Sequence, residues 1–480
     1  VGKNKPRGAD FSLDSYPKSY YTGNRPISDI LRTREEPMNI QLSEHFTYGK
    51  LLRFTLPSIV MMAFSSIYGV VDGVFVSNFV GADPFAAVNL IMPFLMILGA
   101  VGFMLGTGGS ALVAYMLGVG NERKANETFS LLMYVLITLG AIFTVLGLLF
   151  LESVARLLGA DETLLPYCVS YGRVILIALI PFMLQNAFQS FLVTAERPHF
   201  GLYITIAAGV TNIVLDALFI AVLRLGVVGA ALATTISQYI GGVIPLLYFI
   251  FPNKSKLRLC RARLDLRAIA KAGSNGASEF MTNISMSIVN MLYNWQLMRL
   301  MGSDGVAVFG VIMYVNFIFV SIFLGYSMGS APIVGYHYGA GNRTELQGLL
   351  RKSLRLISVL SAVLTAEAEL LARPLAMIFV SYDANLLAVT QRAFAIYAIS
   401  FLLVGFNIYA SSFFTALNDG FTSALISFAR TLVFQIAAVG LLPLVLDVDG
   451  VWGAVIFAEL LALFLSWYCF ARNRKKYGYA

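Results

Sequence analysis

A single aspartate interrupts a long apolar stretch near the start of the hydrophobic part of the chain. Between Arg53 and Asp83 lie 29 residues, and Asp72 is the only charged one among them. This is long enough for one membrane-spanning helix, which needs roughly 20 mostly apolar residues. An acid at mid-membrane costs about 2.5–3.5 kcal/mol on insertion scales and usually marks an ion or proton path. The alternative is a structural hydrogen bond to a neighbouring helix.

A second acid follows in the stretch NIVLDALFI, where Asn212 and Asp216 are four residues apart. This spacing puts both side chains on one face of a helix. The next apolar stretch offers the hydroxyl of Thr234. Together with Asp72 these side chains supply carboxylate, amide and hydroxyl oxygens. Such a set suits a hard cation, or a proton shared between two close acids.

Other polar side chains recur inside apolar stretches and are candidates for lining a substrate cavity. Gln185 and Gln189 are again four residues apart, as are Glu279 and Asn283. Asn407 lies in a later stretch. Of these, Glu279 carries a charge, and a carboxylate facing a cavity would attract lipophilic cations. The same amides would also serve as polar contacts between helices.

The elements that carry these residues are membrane spans. The chain has 480 residues, of which 58% are hydrophobic and 12% charged, with a mean hydropathy of +0.76. A soluble domain carries about 25% charged residues, so we predict an all-α polytopic membrane protein. The cysteines and histidines lack metal-ligand spacing, and no nucleotide-binding or nucleophile motif is present. An enzyme, a metal site and a bound cofactor are therefore not expected.

We count twelve apolar spans separated by short polar breaks: 51–80, 85–117, 127–151, 167–193, 201–223, 227–251, 272–300, 306–338, 351–371, 386–416, 421–446 and 450–471. Residues 1–49 precede them and are polar, rich in proline and basic residues, and without helical period. We predict that this N-terminal tail is disordered. The first methionine is Met38, and a chain starting there is expected to insert and export as well as the full one.

The basic residues are distributed unequally between the two sides of the predicted spans. After residue 49, twenty Lys and Arg fall on one side and six on the other. The positive-inside rule places the richer side, and with it both termini, in the cytoplasm. The formal net charge of +8 is thus explained by topology, and no nucleic-acid partner is expected.

The two halves of the chain repeat each other at a constant offset of 221 residues. This offset pairs Gly81 with Gly302, Tyr115 with Tyr336, and many residues between and after them. Each half holds six spans, so both start on the same side and the repeats are parallel, an architecture typical of transporters. We predict an N-lobe at 50–251, a basic cytoplasmic linker at 252–271, a C-lobe at 272–471 and a basic tail at 472–480.

Five segments together resemble the multidrug and toxic compound extrusion (MATE) family, in its bacterial multidrug-efflux branch. They are VDGVFVSNFVGADPFAAVNL, GTGGSALVAYMLGVGNERKA, NIVLDALFI, ASEFMTNISMSIVNMLYN and GSAPIVGYHYGAGN. The resemblance covers residues 51–471. It implies a V-shaped, two-lobe antiporter of the cell membrane that exports lipophilic organic cations in exchange for H⁺ or Na⁺, surrounded by lipid and expected to be a monomer.

The resemblance also implies a cation site in the N-lobe, formed by the first-span aspartate, the Asn and Asp of the fifth span and a threonine of the sixth. These match Asp72, Asn212, Asp216 and Thr234. A flippase for lipids or lipid-linked oligosaccharides, from the same superfamily, is the alternative. An anionic headgroup would require several basic residues in the cavity, and Arg430 is the only one well inside a span, so drug export is preferred. No role follows from the sequence for Glu459.

Overall fold

A computed structural model describes residues 40–380 and 383–479, apart from the side chains of residues 82, 378 and 379. Helices are the regular secondary structure of the described residues, and twelve helical segments, α1–α12, follow one another along the chain. Their bounds are Tyr48–Phe79, Ala82–Gly118, Glu122–Leu157, Leu165–Ile177 with Leu179–Thr194, Pro198–Val222, Gly226–Ile250, Leu266–Met301, Ser303–Gly339, Arg343–Val380, Ala384–Ala398 with Phe401–Ala416, Gly420–Leu441 and Pro443–Tyr477.

Most of these segments are long and apolar enough to cross a membrane. Eight qualify as single helices, and the two bent segments, α4 and α10, raise the number to ten. The other two, α7 and α9, have 36 and 38 residues, which exceeds the length needed for a span. They are more polar than the rest, because α7 carries a row of asparagines with Glu279 and α9 carries several charges. The chain is therefore a polytopic all-α membrane protein.

The internal repeat is visible in the backbone itself. The bent segments break at corresponding places, by 58° at Ala178 and by 45° just before Phe401. Asn121 and Asn342 begin corresponding helices, and each side-chain oxygen accepts a hydrogen bond from the amide three residues later, as N-caps do. Residues with positive φ also occur in pairs, 221 to 223 residues apart: Gly81 and Gly302, Gly120 and Gly341, Glu196 and Asn418, Arg224 and Asp447.

The two halves meet at one end of the molecule, through very close backbone contacts. A methyl group on Gly108 of α2 would lie 2.0 Å from the carbonyl oxygen of Ala272 on α7, and one on Gly276 would lie 1.8 Å from that of Met104. Gly118 and Gly339 make an equally close contact between α2 and α8. Glycine is required at these points because any side chain would collide with backbone.

This end of the molecule carries most of the basic residues of the loops, and it is called the basic face below. It includes the start of α1, the turns after α2, α4, α8 and α10, the segment between α6 and α7, and the end of α12. The lobes are thus in contact at the basic face.

The prediction that all of residues 1–49 are disordered is wrong for the end of that segment. Ile40, Leu42 and Phe46 are buried, and they pack on a core cluster formed with α8, α9 and α10. Backbone amides of this segment donate to Glu196 in the N-lobe and to Glu345 in the C-lobe, over 2.8 and 3.0 Å. Burial of three apolar side chains and these two hydrogen bonds fix the segment. Residues 1–39, including Met38, lie outside the described residues.

Three other boundaries differ from the prediction by a few residues. α1 begins at Tyr48, and α7 begins at Leu266 because Asp265 caps it by accepting hydrogen bonds from two amides. The linker is therefore shorter than 252–271. At the other end, α12 continues to Tyr477, so most of the predicted tail is an extension of the last helix.

Candidate cation site and substrate cavity

The two acids of the N-lobe lie next to each other. Asp72 is in α1, and Asp216 is the last α-helical residue of α5, before the π-helical turn Ala217–Val222. Their carboxyl groups are close enough to interact directly, and Asp216 is completely buried. Among the described residues, none donates a hydrogen bond to either oxygen of Asp216 or to Oδ1 of Asp72. Because ionised carboxylates only accept hydrogen bonds, the two groups can bond only through a proton or a shared cation.

Neutral polar groups of the N-lobe are also left without partners. Asn212 lies one helical turn before Asp216 and is buried, and Thr234 is half-buried in the adjacent α6. Neither Nδ2 of Asn212 nor Oγ1 of Thr234 bonds to another described residue. The structure therefore brings Asp72 and Asp216 together and places Asn212 beside them, and Thr234 is on the neighbouring helix. Carboxylates with neutral oxygen donors are the ligands that hard cations prefer.

Gln185 and Gln189 lie inside the N-lobe, and both are buried. They line a small cavity with residues of α1, α5 and α6. Its volume is about 10 Å³, room for about one water molecule. These two residues, predicted to line the substrate cavity, therefore occupy a separate and much smaller site.

The large cavity lies between the lobes and has a volume of about 390 Å³, in the range of small-molecule sites. Most of its wall comes from α7, α8, α10, α11 and α12, with contributions from α1, α2 and α4. Glu279 and Asn283 line it. Asn407 is buried behind the wall, where its amide donates to Glu459. Of the five residues predicted to line the substrate cavity, Glu279 and Asn283 line this large cavity.

The wall of this cavity is mostly apolar and flexible. The methionine and phenylalanine side chains that line it are Met62, Phe103, Met286, Phe309, Met313, Phe317 and Met328. Methionine adapts its shape readily, and such surfaces accept many ligands. The carboxylate of Glu279 forms no ion pair with the described residues, so it is available to a bound cation.

One charged pair of the cavity wall was not predicted from the sequence. Arg430 of α11 and Glu459 of α12 both line the cavity, and Nε of Arg430 lies 2.7 Å and 2.9 Å from the two carboxylate oxygens. Two opposite charges within spans were the available signal. Their pairing depends on how α11 and α12 are rotated, which the sequence alone does not fix.

The comparisons with known proteins agree with one another. The family model MatE matches residues 57–218 and 280–439, one match in each lobe. Multidrug export protein MepA of Staphylococcus haemolyticus (strain JCSC1435) is 23% identical over 424 residues, which cover 88% of this chain and 93% of the relative. MepA of Staphylococcus aureus (strain NCTC 8325 / PS 47) is 23% identical over 365 residues, 75% of this chain and 80% of the relative.

Solved structures show the same fold. An outward-facing multidrug resistance MATE family transporter of the MOP superfamily superimposes with a TM-score of 0.86, at 22% identity, over 92% of this chain and 99% of that one. A MOP superfamily transporter from Pyrococcus furiosus Vc1 (DSM3638) gives a TM-score of 0.83, at 22% identity, over 91% and 98%. At 22% identity, these superpositions show that the fold is the same.

Proposed function

The chain belongs to the MATE family of transporters, and on this premise we propose that it exports lipophilic organic cations in exchange for H⁺ or Na⁺. It is a multi-pass membrane protein and not an enzyme. The observation that carries the proposal is the cavity between the lobes, with the unpaired Glu279 carboxylate in a largely apolar wall. Such a wall suits lipophilic substrates, and the carboxylate attracts cations. Arg430 is the one basic side chain of the described cavity lining, which argues against transport of anionic lipid headgroups.

The coupling ion binds in the N-lobe in this proposal. A proton or Na⁺ shared by Asp72 and Asp216 removes one of the two negative charges and with it the repulsion between the carboxylates, and α1 and α5 can then pack more closely. The π-helical turn directly after Asp216 is a type of irregularity found often at functional sites. α1 also contributes Met62 and Ser66 to the large cavity. A movement of α1 would therefore transmit ion binding to the substrate.

The function is tested first at Glu279. Expression of the protein in bacteria that lack their own drug pumps should raise resistance to ethidium and similar cations. Glu279→Gln keeps the size of the side chain and removes the charge, so resistance to cations should fall at least several-fold, with a smaller effect on a neutral lipophilic drug. Equal loss for both drugs would show that the residue acts through folding or coupling. Asn283→Asp, on the same cavity wall, instead adds a carboxylate. It should raise resistance to cations above that given by the wild type.

The orientation is the second part of the proposal, with the basic face in the cytoplasm. Cys260 is half-buried in the basic segment between the lobes, whereas Cys168 and Cys469 are buried. A membrane-impermeant maleimide should therefore label the protein in inverted vesicles and leave it unlabelled in intact cells. Cys260→Ser should abolish the labelling. Reaction of Cys260 in intact cells would place the basic face outside and refute the orientation.

A further inference from the structure

The Arg430–Glu459 pair has a geometry that leaves half of the guanidinium group unused. Both hydrogen bonds to Glu459 come from Nε, and neither Nη group bonds to another described residue. The Nη groups are also absent from the buried, unpartnered polar atoms of the described chain. Arg430 keeps 15% of its side-chain surface exposed, and it lines the cavity. Its free donors therefore face the space that a substrate would occupy.

A buried network holds this arginine in place. Glu459, whose side chain is 3% exposed, also accepts a hydrogen bond of 2.8 Å from Asn407, and the side-chain oxygen of Asn407 accepts one of 2.9 Å from Ser466. Glu459 lines the cavity beside Arg430, whereas Asn407 and Ser466 lie behind the wall, and all three are buried. Because each member is hydrogen-bonded, the direction of the guanidinium group is fixed.

The charged side chains that line the cavity among the described residues are Glu279, Arg430 and Glu459. Two carboxylates and one guanidinium leave one excess negative charge. Both carboxylate oxygens of Glu459 accept hydrogen bonds from Arg430 or Asn407, and its charge is balanced by Arg430. The excess negative charge of the cavity therefore lies at Glu279. Arg430 acts electrostatically on Glu279, but the two do not form an ion pair. The cavity therefore has a negative group and a positive group that remain separate and can both reach a ligand.

We propose that Arg430 is a substrate-contacting, specificity-determining residue that binds a carboxylate on the substrate while Glu279 binds its cationic group. This inference rests on the proposed export function and adds a second recognition element to it. A guanidinium with two free NH₂ groups matches the geometry of a carboxylate and forms strong, charge-assisted hydrogen bonds. The favoured substrates are thus amphiphilic cations that also carry a carboxylate.

A purely structural ion pair would explain the burial but not the free donors. A buried pair is often no more stabilising than apolar side chains of the same volume, and a pair that served packing alone would use its Nη groups internally. In addition, Arg430 lies in a π-helical turn, Ala429–Val433, which changes the direction of side chains within α11 and is common at functional sites. If Arg430 binds substrate, its loss should weaken the binding of substrates that carry a carboxylate more than that of substrates without one. A purely structural ion pair predicts no such difference.

The test uses two dyes that differ only in the carboxyl group, rhodamine B and its ethyl ester. Binding to the purified full-length protein is measured by fluorescence anisotropy, and transport is measured in proteoliposomes. The variant is Arg430→Gln/Glu459→Gln, which removes both charges and keeps a hydrogen bond between the two side chains. The control is Arg392→Gln/Asp449→Asn, which removes an exposed ion pair that is not part of the cavity lining. Arg430→Lys, which keeps the charge but not the forked geometry, is the second variant should the double variant fail to fold.

We expect the cavity variant to bind rhodamine B about tenfold more weakly, which is the loss of one charge-assisted hydrogen bond, and to bind the ester within about twofold of wild type. Arg430→Lys should show an intermediate loss, and the control none. Equal effects on both dyes, or none on either, would refute the role of Arg430. Failure of the wild-type protein to transport the ester would instead count against the proposed function, because the ester is a plain lipophilic cation.

Discussion

Asp72→Asn is expected to abolish gradient-driven export, and Asp216→Asn to do the same. Asparagine is permanently neutral, so each variant resembles the cation-bound state and cannot be reset by releasing the ion. A lone carboxylate left in the buried site would also be costly to ionise. Drug binding in detergent should stay within a few-fold of wild type, because the large cavity lies elsewhere and its charged groups are unchanged. Export is measured as ethidium transport by inverted vesicles, and binding by fluorescence anisotropy.

The double variant Asp72→Asn/Asp216→Asn should be little worse than either single one, because the two carboxylates work as one site. Asp83→Asn is the matched control, since Asp83 is an exposed acid in the first turn of α2. It should export normally. Full export by either single variant would refute a shared site, and additive losses in the double variant would show that the two acids act independently.

The second large effect is expected where the lobes touch at the basic face. Gly276→Val should strongly reduce export, because even a methyl group at this position would lie 1.8 Å from the carbonyl oxygen of Met104. The two lobes then cannot close against each other at the basic face. The cavity would stay open to that face, and a bound substrate could leave from it. Gly108→Val on the facing helix should have the same effect. Gly310→Val is the control, since a methyl group placed there would have no atom of another helix within 4 Å.

The conformational part of this prediction is measured directly. Spin labels at Arg123 and Thr344, exposed residues near the starts of α3 and α9, report the separation of the lobes at the basic face in a cysteine-free background. Gly276→Val should lengthen and broaden the distance distribution, and Gly310→Val should leave it unchanged. An unchanged distance in Gly276→Val, together with normal export, would show that the close contact is not needed for the transport cycle.

The spans, the repeat and the family were predictable from the sequence because each has a strong local signature. Long apolar stretches identify spans regardless of how they pack, and a constant offset between the halves needs no structural knowledge. The acids of the proposed cation site could be singled out for the same reason, since a charge inside a span is rare and costly. Asp72 and Asp216 stand out in this way in their helices.

Other features depend on tertiary contacts and could not be predicted. The buried segment around Leu42 and Phe46 has too few apolar residues for any periodicity, and it is ordered by what it packs against. Asn407 looked like a cavity residue because it is polar within a span, but its partner Glu459 holds it behind the wall. The direction of Arg430 depends on a π-helical turn that the sequence does not indicate.

The central claim is that an ion site at Asp72 and Asp216 drives export of organic cations, and one measurement tests it most directly. Purified protein is reconstituted into liposomes, and ethidium transport is recorded after a pH gradient or a Na⁺ gradient is imposed, for the wild type and for Asp72→Asn. We predict that at least one of the two gradients drives ethidium transport by the wild type, and that neither does so in the variant. Equal transport by Asp72→Asn, or wild-type transport that needs neither gradient, would contradict the claim.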